Sequence, residues 1–299
     1  MPDPISLDKR RIRRNFERAA SSYDSGGPLS TEVCARMLAR LDLVRLAPER
    51  ILDVGSGTGT ASRALARRYP KARVCALDLS LPALRLQRRS GFWSRASRLA
   101  LRGNLATSCV CADFERLPFA DGGIDLAVSN LALHWSNAPD AVLTELQRAL
   151  RGGGLLMFST LGPDTLKELA RASADARGRS PVHTFMDMHD LGDMLIRSGF
   201  ADPVMDMEYI TLTYERVGDL FRDLRASGAL STRVDNIGLR TPRWRERLIQ
   251  GYELLRREER LPATFEVVYG HAWKPEAGKS VGARGLTADG RAIVRFKRS

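Results

Sequence analysis

The sequence has no paired cysteines. Its four, Cys34, Cys75, Cys109 and Cys111, include no CxxC motif and have no histidine at metal-ligand spacing, so neither a zinc site nor a disulfide framework is expected and a reducing cytosol suits the chain. No segment approaches the roughly 20 apolar residues that span a bilayer. Met1 to Ser6 holds two prolines and lacks the apolar core of a secretory signal, so the expectation is a cytoplasmic protein without membrane attachment. Paired Cys/His ligands and the aromatic RNA-binding signature are also missing, which argues against a nucleic-acid reader.

What is present is an ordinary globular composition, 43% hydrophobic and 27% charged over 299 residues, enough for a sizeable core. Lys and Arg outnumber Asp and Glu 47 to 35, a net charge of +12. Such a field draws an acidic partner, which by charge alone is a nucleic acid, an anionic membrane surface or a small acidic carrier protein.

Hydrophobic periodicity and Gly/Pro breaks predict helices at Leu7 to Ala20 and Leu29 to Leu46, then strands at Arg50 to Val54, Ala72 to Leu77, Ser108 to Cys111, Ile124 to Ser129 and Leu155 to Ser159. Helices at Thr60 to Tyr69, Pro82 to Arg89 and Ala138 to Leu150 alternate with them, and Arg151 to Gly154 reads as a turn. Alternation of this kind predicts an α/β fold with a parallel sheet covered on both faces. Further helices are expected at Asp164 to Ala176, His189 to Ser198, Val217 to Ala226 and Pro242 to Arg260, and strands at Val204 to Tyr214 and Ala263 to Trp273. The division expected is an N-terminal helical lid over residues 1–46, a main domain over 47–274 with a helical insertion at about 215–262, and a basic, flexible tail over 275–299, with a short strand at Arg291 to Phe296.

The stretch Ile51-Leu-Asp-Val-Gly-Ser-Gly-Thr-Gly59 follows a buried strand. Its glycines let the backbone turn sharply and approach a ligand closely. A dinucleotide loop would need a third glycine where Thr60 stands, and a phosphate loop would need Gly-Lys-Ser/Thr. Asp53 would repel a pyrophosphate but can orient the loop and meet the ammonium of a methionine moiety, directly or through water. Asp78, at the end of the next strand, is placed to accept hydrogen bonds from ribose hydroxyls. A turn cap for Asp53 and a helix start for Asp78 are the plainer readings.

Together, Asp53-Val-Gly-Ser-Gly-Thr-Gly59, Asp78-Leu-Ser80, Ala112-Asp-Phe114 and Asp125-Leu-Ala-Val-Ser-Asn130 resemble the successive cofactor motifs of class I S-adenosylmethionine methyltransferases. The resemblance implies a Rossmann-like, mostly parallel seven-stranded sheet with helices on both faces, N-terminal helices and a helical lid inserted before the last strand. It implies that Gly55, Gly57 and Gly59 pass under the methionine and ribose, that Asp78 with Leu79 holds the ribose, that Asp113 meets the adenine amino group beside Phe114, and that Asn130 lies near the sulfonium. A solvated loop acid is the other reading of Asp113.

A narrower likeness runs through Arg14-Asn-Phe-Glu-Arg-Ala-Ala-Ser-Ser-Tyr-Asp24, Ser129-Asn-Leu-Ala-Leu-His-Trp135, Phe158-Ser-Thr-Leu-Gly162 and Leu261-Pro-Ala-Thr-Phe265. These resemble the malonyl-acyl-carrier-protein methyltransferases of biotin synthesis, the BioC family. That likeness implies esterification of the free carboxylate of a malonyl thioester, with S-adenosylmethionine as cofactor and an acidic acyl carrier protein as partner. A malonyl carboxyl is ionised at neutral pH, so no catalytic acid-base pair and no metal are expected; the site has to orient the carboxylate in line with the methyl and exclude water.

Tyr23 matches the family tyrosine that borders cofactor and acyl group; a core tyrosine is the alternative. Phe185 is either a substrate-selecting aromatic or a packing residue. His134 and Trp135 should rim the site or else form a structural pair. Arg240 is a carboxylate or phosphopantetheine ligand, or a surface arginine. The acid-free run from Arg85 to Arg102, with Arg88, Arg89, Arg95 and Arg98 between, reads as a docking face for the carrier or as plain solvated surface.

Two rival activities stay open. His134-Trp135, Gly162-Pro-Asp-Thr-Leu-Lys-Glu-Leu169 and Asp190-Leu-Gly-Asp-Met-Leu-Ile-Arg-Ser-Gly-Phe200 also resemble a mitochondrial complex I assembly factor that keeps this fold but hydroxylates a protein arginine. The other is methylation of a different small molecule or protein.

Overall fold

The computed structural model describes residues 7–23, 28–89, 108–174, 182–227 and 242–276. Arg240, the arginines Arg95, Arg98 and Arg102, and almost all of the expected tail, including Arg291 to Phe296, lie outside the described residues.

Among the described residues seven strands form one sheet: β1 (Arg50–Val54), β2 (Arg73–Asp78), β3 (Ser108–Cys111), β4 (Ile124–Asn130), β5 (Leu150–Leu161), β6 (Ala201–Tyr214) and β7 (Leu261–Trp273). Their order is β3-β2-β1-β4-β5-β7-β6. Strands β1 to β5 pair in parallel, whereas β7 lies antiparallel between β5 and β6. The order reverses at the β1/β4 pair, which opens a crevice at the carboxyl ends of those strands. The glycine loop leaves β1 at that point.

Helices cover both faces. On one lie α2 (Leu29–Ala39), α3 (Thr60–Arg68), α6 (Lys167–Ser173), α8 (Val217–Ala226) and α9 (Pro242–Glu253), whose Met37, Leu65, Leu169, Leu220 and Tyr252 pack with Ile51 and Val267. On the other, α5 (Pro139–Ala149) and α7 (Met188–Arg197) bury Leu143, Leu146 and Leu195 against Leu52, Val54 and Phe158. The alternation of Ile51 to one face and Leu52 to the other is the period of two expected of a strand buried on both sides. Helix α1 (Lys9–Ala19) packs on α4 (Leu81–Arg89) beside the crevice, and the helices α8 and α9 fall between β6 and β7 as the sequence pattern anticipates.

Among the boundaries that differ from the pattern, such as a second helix that ends at Ala39 instead of Leu46, three have a visible cause. The expected turn at Arg151 to Gly154 is strand, because Lys274 accepts from Gly153 N and donates to Gly154 O, keeping the glycine run inside the ladder. The helix expected from Asp164 begins at Lys167, since Asp164 N donates to Glu266 Oε2 at 2.7 Å and Leu166 sits at φ +57°. The helix expected to reach Arg260 stops at Glu253, and Glu258 and Glu259, both at positive φ, turn the chain into β7.

Candidate active site

Gly55 and Gly57 adopt φ +71° and +53°, values L side chains rarely take. A Cβ on Gly55 would stand 2.3 Å from the Ala132 Cβ, and one on Gly57 would face the Tyr23 ring at 3.8 Å. Asp78 holds the loop in this shape: Oδ2 accepts from Gly57 N at 2.8 Å and Oδ1 from Ser80 N at 2.7 Å. Burial pushes its carboxyl up, and these backbone donors offset part of the rise. Leu79 N also acts on this carboxylate, and a carboxylate has about four acceptor sites, which leaves capacity for a ligand.

The loop borders an open cavity holding about 760 Å³ of empty space, open solvent included, also lined by Lys9, Phe16, Tyr23, Asp78, Leu79, Asp113, Phe114, Asn130 and Trp135. Lys9 of α1 reaches across it to Asp113 Oδ2 at 2.6 Å and to Glu115. Burial works against ionised Glu115, but its hydrogen bonds from Lys9 and Ser136 hold the carboxyl below its usual range. The start of α1 is pinned by a reciprocal pair: Leu7 N donates to Asn137 Oδ1 at 2.7 Å and Asn137 Nδ2 to Leu7 O at 2.8 Å. Asn130 donates through Nδ2 to Ser30 O and accepts from Ser159 Oγ at 2.9 Å.

Two of the expected cofactor residues stand behind this lining. Gly59, at φ +93°, caps α3 against Gln87. Asp53 is 1% exposed; Oδ2 accepts from Ser62 Oγ at 2.5 Å while Oδ1 has no partner among the described residues. Burial raises its carboxyl to about 7, against the lowering effect of Ser62.

A second open cavity, with about 680 Å³ of empty space measured in the same way, adjoins the first, and Phe16, Tyr23, Leu131 and Trp135 line both. Its other walls include Ser30, His134, Leu161, Leu212, Tyr214, Asp223, Ser227 and Phe265. Among the described residues no lysine or arginine lines it. Burial, with the nearby His183, pushes His134 down to about 3, so the ring is neutral, and Thr160 Oγ1 lies 3.3 Å from its Nδ1. Phe185 lines neither cavity among the described residues; it packs edge-on to His134 at 5.5 Å and to His183 at 4.8 Å, in an aromatic cluster with Trp135. Of the expected docking run, Arg85, Arg88 and Arg89 are exposed on α4.

The motifs therefore bring Gly55, Gly57, Asp78, Leu79, Asp113, Phe114, Asn130 and Tyr23 onto one cavity and His134 and Trp135 onto the next. Sequence reasoning missed Lys9, Ser30, Tyr214 and Asp223, which carry no local signal of a site.

Residues 52–158 match the family model described as a methyltransferase domain. Over 298 residues the chain is 50% identical to a malonyl-acyl-carrier-protein O-methyltransferase of Laribacter hongkongensis, covering 99% of this chain and 98% of that protein. It is 48% identical to the protein of the same name from Gallionella capsiferriformans, covering 97% and 96%. Among solved structures, the YcgJ protein of Bacillus subtilis superposes with a TM-score of 0.54 at 14% identity, over 80% of this chain and 98% of that one; at that identity the likeness speaks to the fold alone. Among the described residues no helix is long and apolar enough to cross a membrane, and no His/Cys/Asp/Glu cluster could hold a metal.

Proposed function

The chain belongs to the family of malonyl-acyl-carrier-protein O-methyltransferases, and from that premise we propose that it esterifies the free carboxylate of a malonyl group carried as a thioester on an acyl carrier protein, with S-adenosylmethionine as methyl donor. The reading rests on one observation: two cavities of similar size meet at a common wall of Phe16, Tyr23, Leu131 and Trp135. Donor and acceptor each have a chamber, and the reacting atoms meet where the chambers touch.

The first cavity suits a nucleoside sulfonium better than a pyrophosphate. Among the described residues its lone cation, Lys9, is already ion-paired to Asp113 and Glu115, while Asp78 adds negative charge at the glycine loop. Asp78 accepts from the ribose hydroxyls beside Leu79, and Asp113 with Phe114 takes the adenine end. Gly55 and Gly57 let the backbone run under the ligand, with Gly59 setting the start of α3. Asn130 lies at the sulfonium, and Asp53, whose unpartnered Oδ1 is buried behind the lining, acts on the ammonium through water. When bound, S-adenosylmethionine supplies an electrophilic methyl group that a carboxylate oxygen can take, leaving a neutral thioether.

The chain's own part is positioning and exclusion of water. A malonyl carboxylate is ionised well below neutral pH, so no residue has to remove a proton. His134, kept neutral by burial, and Tyr23 orient that carboxylate as uncharged donors. A strong ion pair would instead tie up the nucleophile. Trp135 walls the acyl group and Phe185 supports His134 from behind. Arg240, which stands between α8 and α9 in the sequence, is proposed as a carboxylate or phosphopantetheine ligand. The product ester masks the malonyl charge, in keeping with an early step of biotin synthesis.

The test is incubation of malonyl-carrier with methyl-labelled S-adenosylmethionine, followed by mild alkali. A carboxyl ester releases the label as methanol. Label that survives alkali, or an arginine gaining oxygen, would overturn the assignment in favour of another methyl acceptor or of protein hydroxylation.

A further inference from the structure

Helix α1 carries an excess of cations at its amino end. Lys9, Arg10 and Arg11 occupy its first turn, where the dipole favours negative charge, and the one acid at that end is the N-cap Asp8, whose side chain accepts from Arg11 N at 3.0 Å. Within Lys9–Ala19 there are six cations, Lys9, Arg10, Arg11, Arg13, Arg14 and Arg18, and one acid, Glu17. Lys9 is spent on Asp113 and Glu115, and Arg13 pairs with Glu17 at 2.9 Å. Arg10, Arg11, Arg14 and Arg18 are exposed and have no ion-pair partner among the described residues. Arg11, Arg14 and Arg18, spaced at i, i+3 and i+7, border one shallow depression.

A local arrangement that weakens the helix needs a compensating use. The opposite face of the helix shows where that use lies. Lys9, Ile12, Phe16 and Ala20 wall the first cavity, and Phe16 also walls the second. Anything held on the outer face therefore sits one helix diameter, roughly 10 Å, from the shared wall. Helix α1 also packs on α4, whose Arg85, Arg88 and Arg89 are exposed, so the positive surface extends beyond one helix.

We propose that the outer face of α1, through Arg10, Arg11, Arg14 and Arg18, is the docking surface for the acidic acyl carrier protein, with the α4 arginines at its margin. The inference rests on the functional reading above and adds the place where the carrier binds. Rim charges of this kind act on association and its salt dependence more than on the chemical step.

The experiment compares malonyl-carrier with malonyl-pantetheine, which has the thioester arm but neither the carrier nor any phosphate. In the variant Arg10→Glu/Arg11→Glu/Arg14→Glu, KM for malonyl-carrier rises by roughly tenfold or more and its salt dependence flattens, while kcat and all parameters for malonyl-pantetheine stay within about twofold. Acids in the first turn favour the helix, so the melting temperature holds or rises, and a structural defect would show the opposite sign. Arg10→Gln/Arg11→Gln/Arg14→Gln, which removes charge at little cost in helix propensity, falls between. Unchanged kinetics with malonyl-carrier would overturn the proposal, as would an equal loss with both substrates. A wild-type enzyme that methylates neither substrate would remove the functional reading itself, and the docking surface with it.

Discussion

The Phe16 ring stands edge-on to the Trp135 indole, centroids 5.3 Å apart and planes at 89°. One residue comes from the amino-terminal helix α1 and the other from the turn after β4. Both rings line both cavities, so α1 is part of the proposed reaction chamber as well as its cover. Edge-to-face aromatic pairs contribute about 0.5–1.5 kcal/mol beyond the area they bury, enough to hold a short helix in register with the loop beneath it.

Tyr23 completes that wall, with its ring over Gly57. Replacing Tyr23 with Phe keeps the wall and removes only the hydroxyl, so kcat for methyl transfer should fall by about tenfold or less, the value of one neutral hydrogen bond. Tyr23→Ala opens the two cavities to each other and should cost roughly a hundredfold or more. Steady-state kinetics of both variants check this; equal losses would mean that the ring has no separate part.

Gly55→Ala should be among the most damaging small substitutions. The new methyl meets Ala132 at 2.3 Å and the backbone sits at φ +71°, so the clash adds to a strain of about 1–3 kcal/mol. Chemical denaturation should show a loss of at least that size together with loss of S-adenosylhomocysteine binding. A variant as stable as the wild type would contradict the loop geometry.

Asp78 satisfies two backbone donors with two oxygens, and an amide has only one oxygen to offer. Asp78→Asn leaves either Gly57 N or Ser80 N facing an NH2 group. Loss of a hydrogen bond to a charged acceptor is worth about 1.5–3 kcal/mol, which predicts cofactor affinity weaker by roughly 10- to 100-fold with the circular dichroism spectrum retained. Titration calorimetry with S-adenosylhomocysteine reads it; an unchanged dissociation constant would show that Asp78 does not shape the loop.

Asp53 predicts a pH signature. Its buried carboxyl is raised to about 7 from an ordinary 3.8, so in that interval the folded protein holds a proton that the unfolded chain has released. The stability contributed is therefore full below pH 3.8 and is lost as pH rises through 7. Asp53→Asn, which still accepts from Ser62, should remove that slope, gaining on the wild type by at most about 4 kcal/mol across the interval. Urea unfolding from pH 5 to pH 8 checks the sign, and parallel curves would refute it.

The residues of the proposed donor cavity could largely be read from the sequence because their signals are local. The glycines follow their strand directly, and Asp78 ends the next one, so strand spacing alone carries both to the crevice. Of the wall of the second cavity, only Tyr23, His134 and Trp135 could be read in this way. Ser30, Tyr214 and Asp223 come from α2, β6 and α8 and meet only once β7 inserts between β5 and β6, a crossing that periodicity does not encode. Lys9 and Asp113 lie 104 residues apart, and nothing near either announces the other. The turn expected at Arg151 to Gly154 failed for the same reason: its glycines stay in the ladder because Lys274, far along the chain, supplies the partner groups. For Phe185 the sequence leaves a substrate contact and a packing role both open; its ring packs on His134 and His183, and among the described residues His134 takes the cavity wall.

The most direct test of paired donor and acceptor chambers is the intact mass of the carrier after incubation with S-adenosylmethionine, with malonyl-carrier and acetyl-carrier run side by side. The account predicts one added methyl group on the malonyl form and none on the acetyl form, since only the first presents a free carboxylate. Methylation of both forms, or of neither, would contradict it.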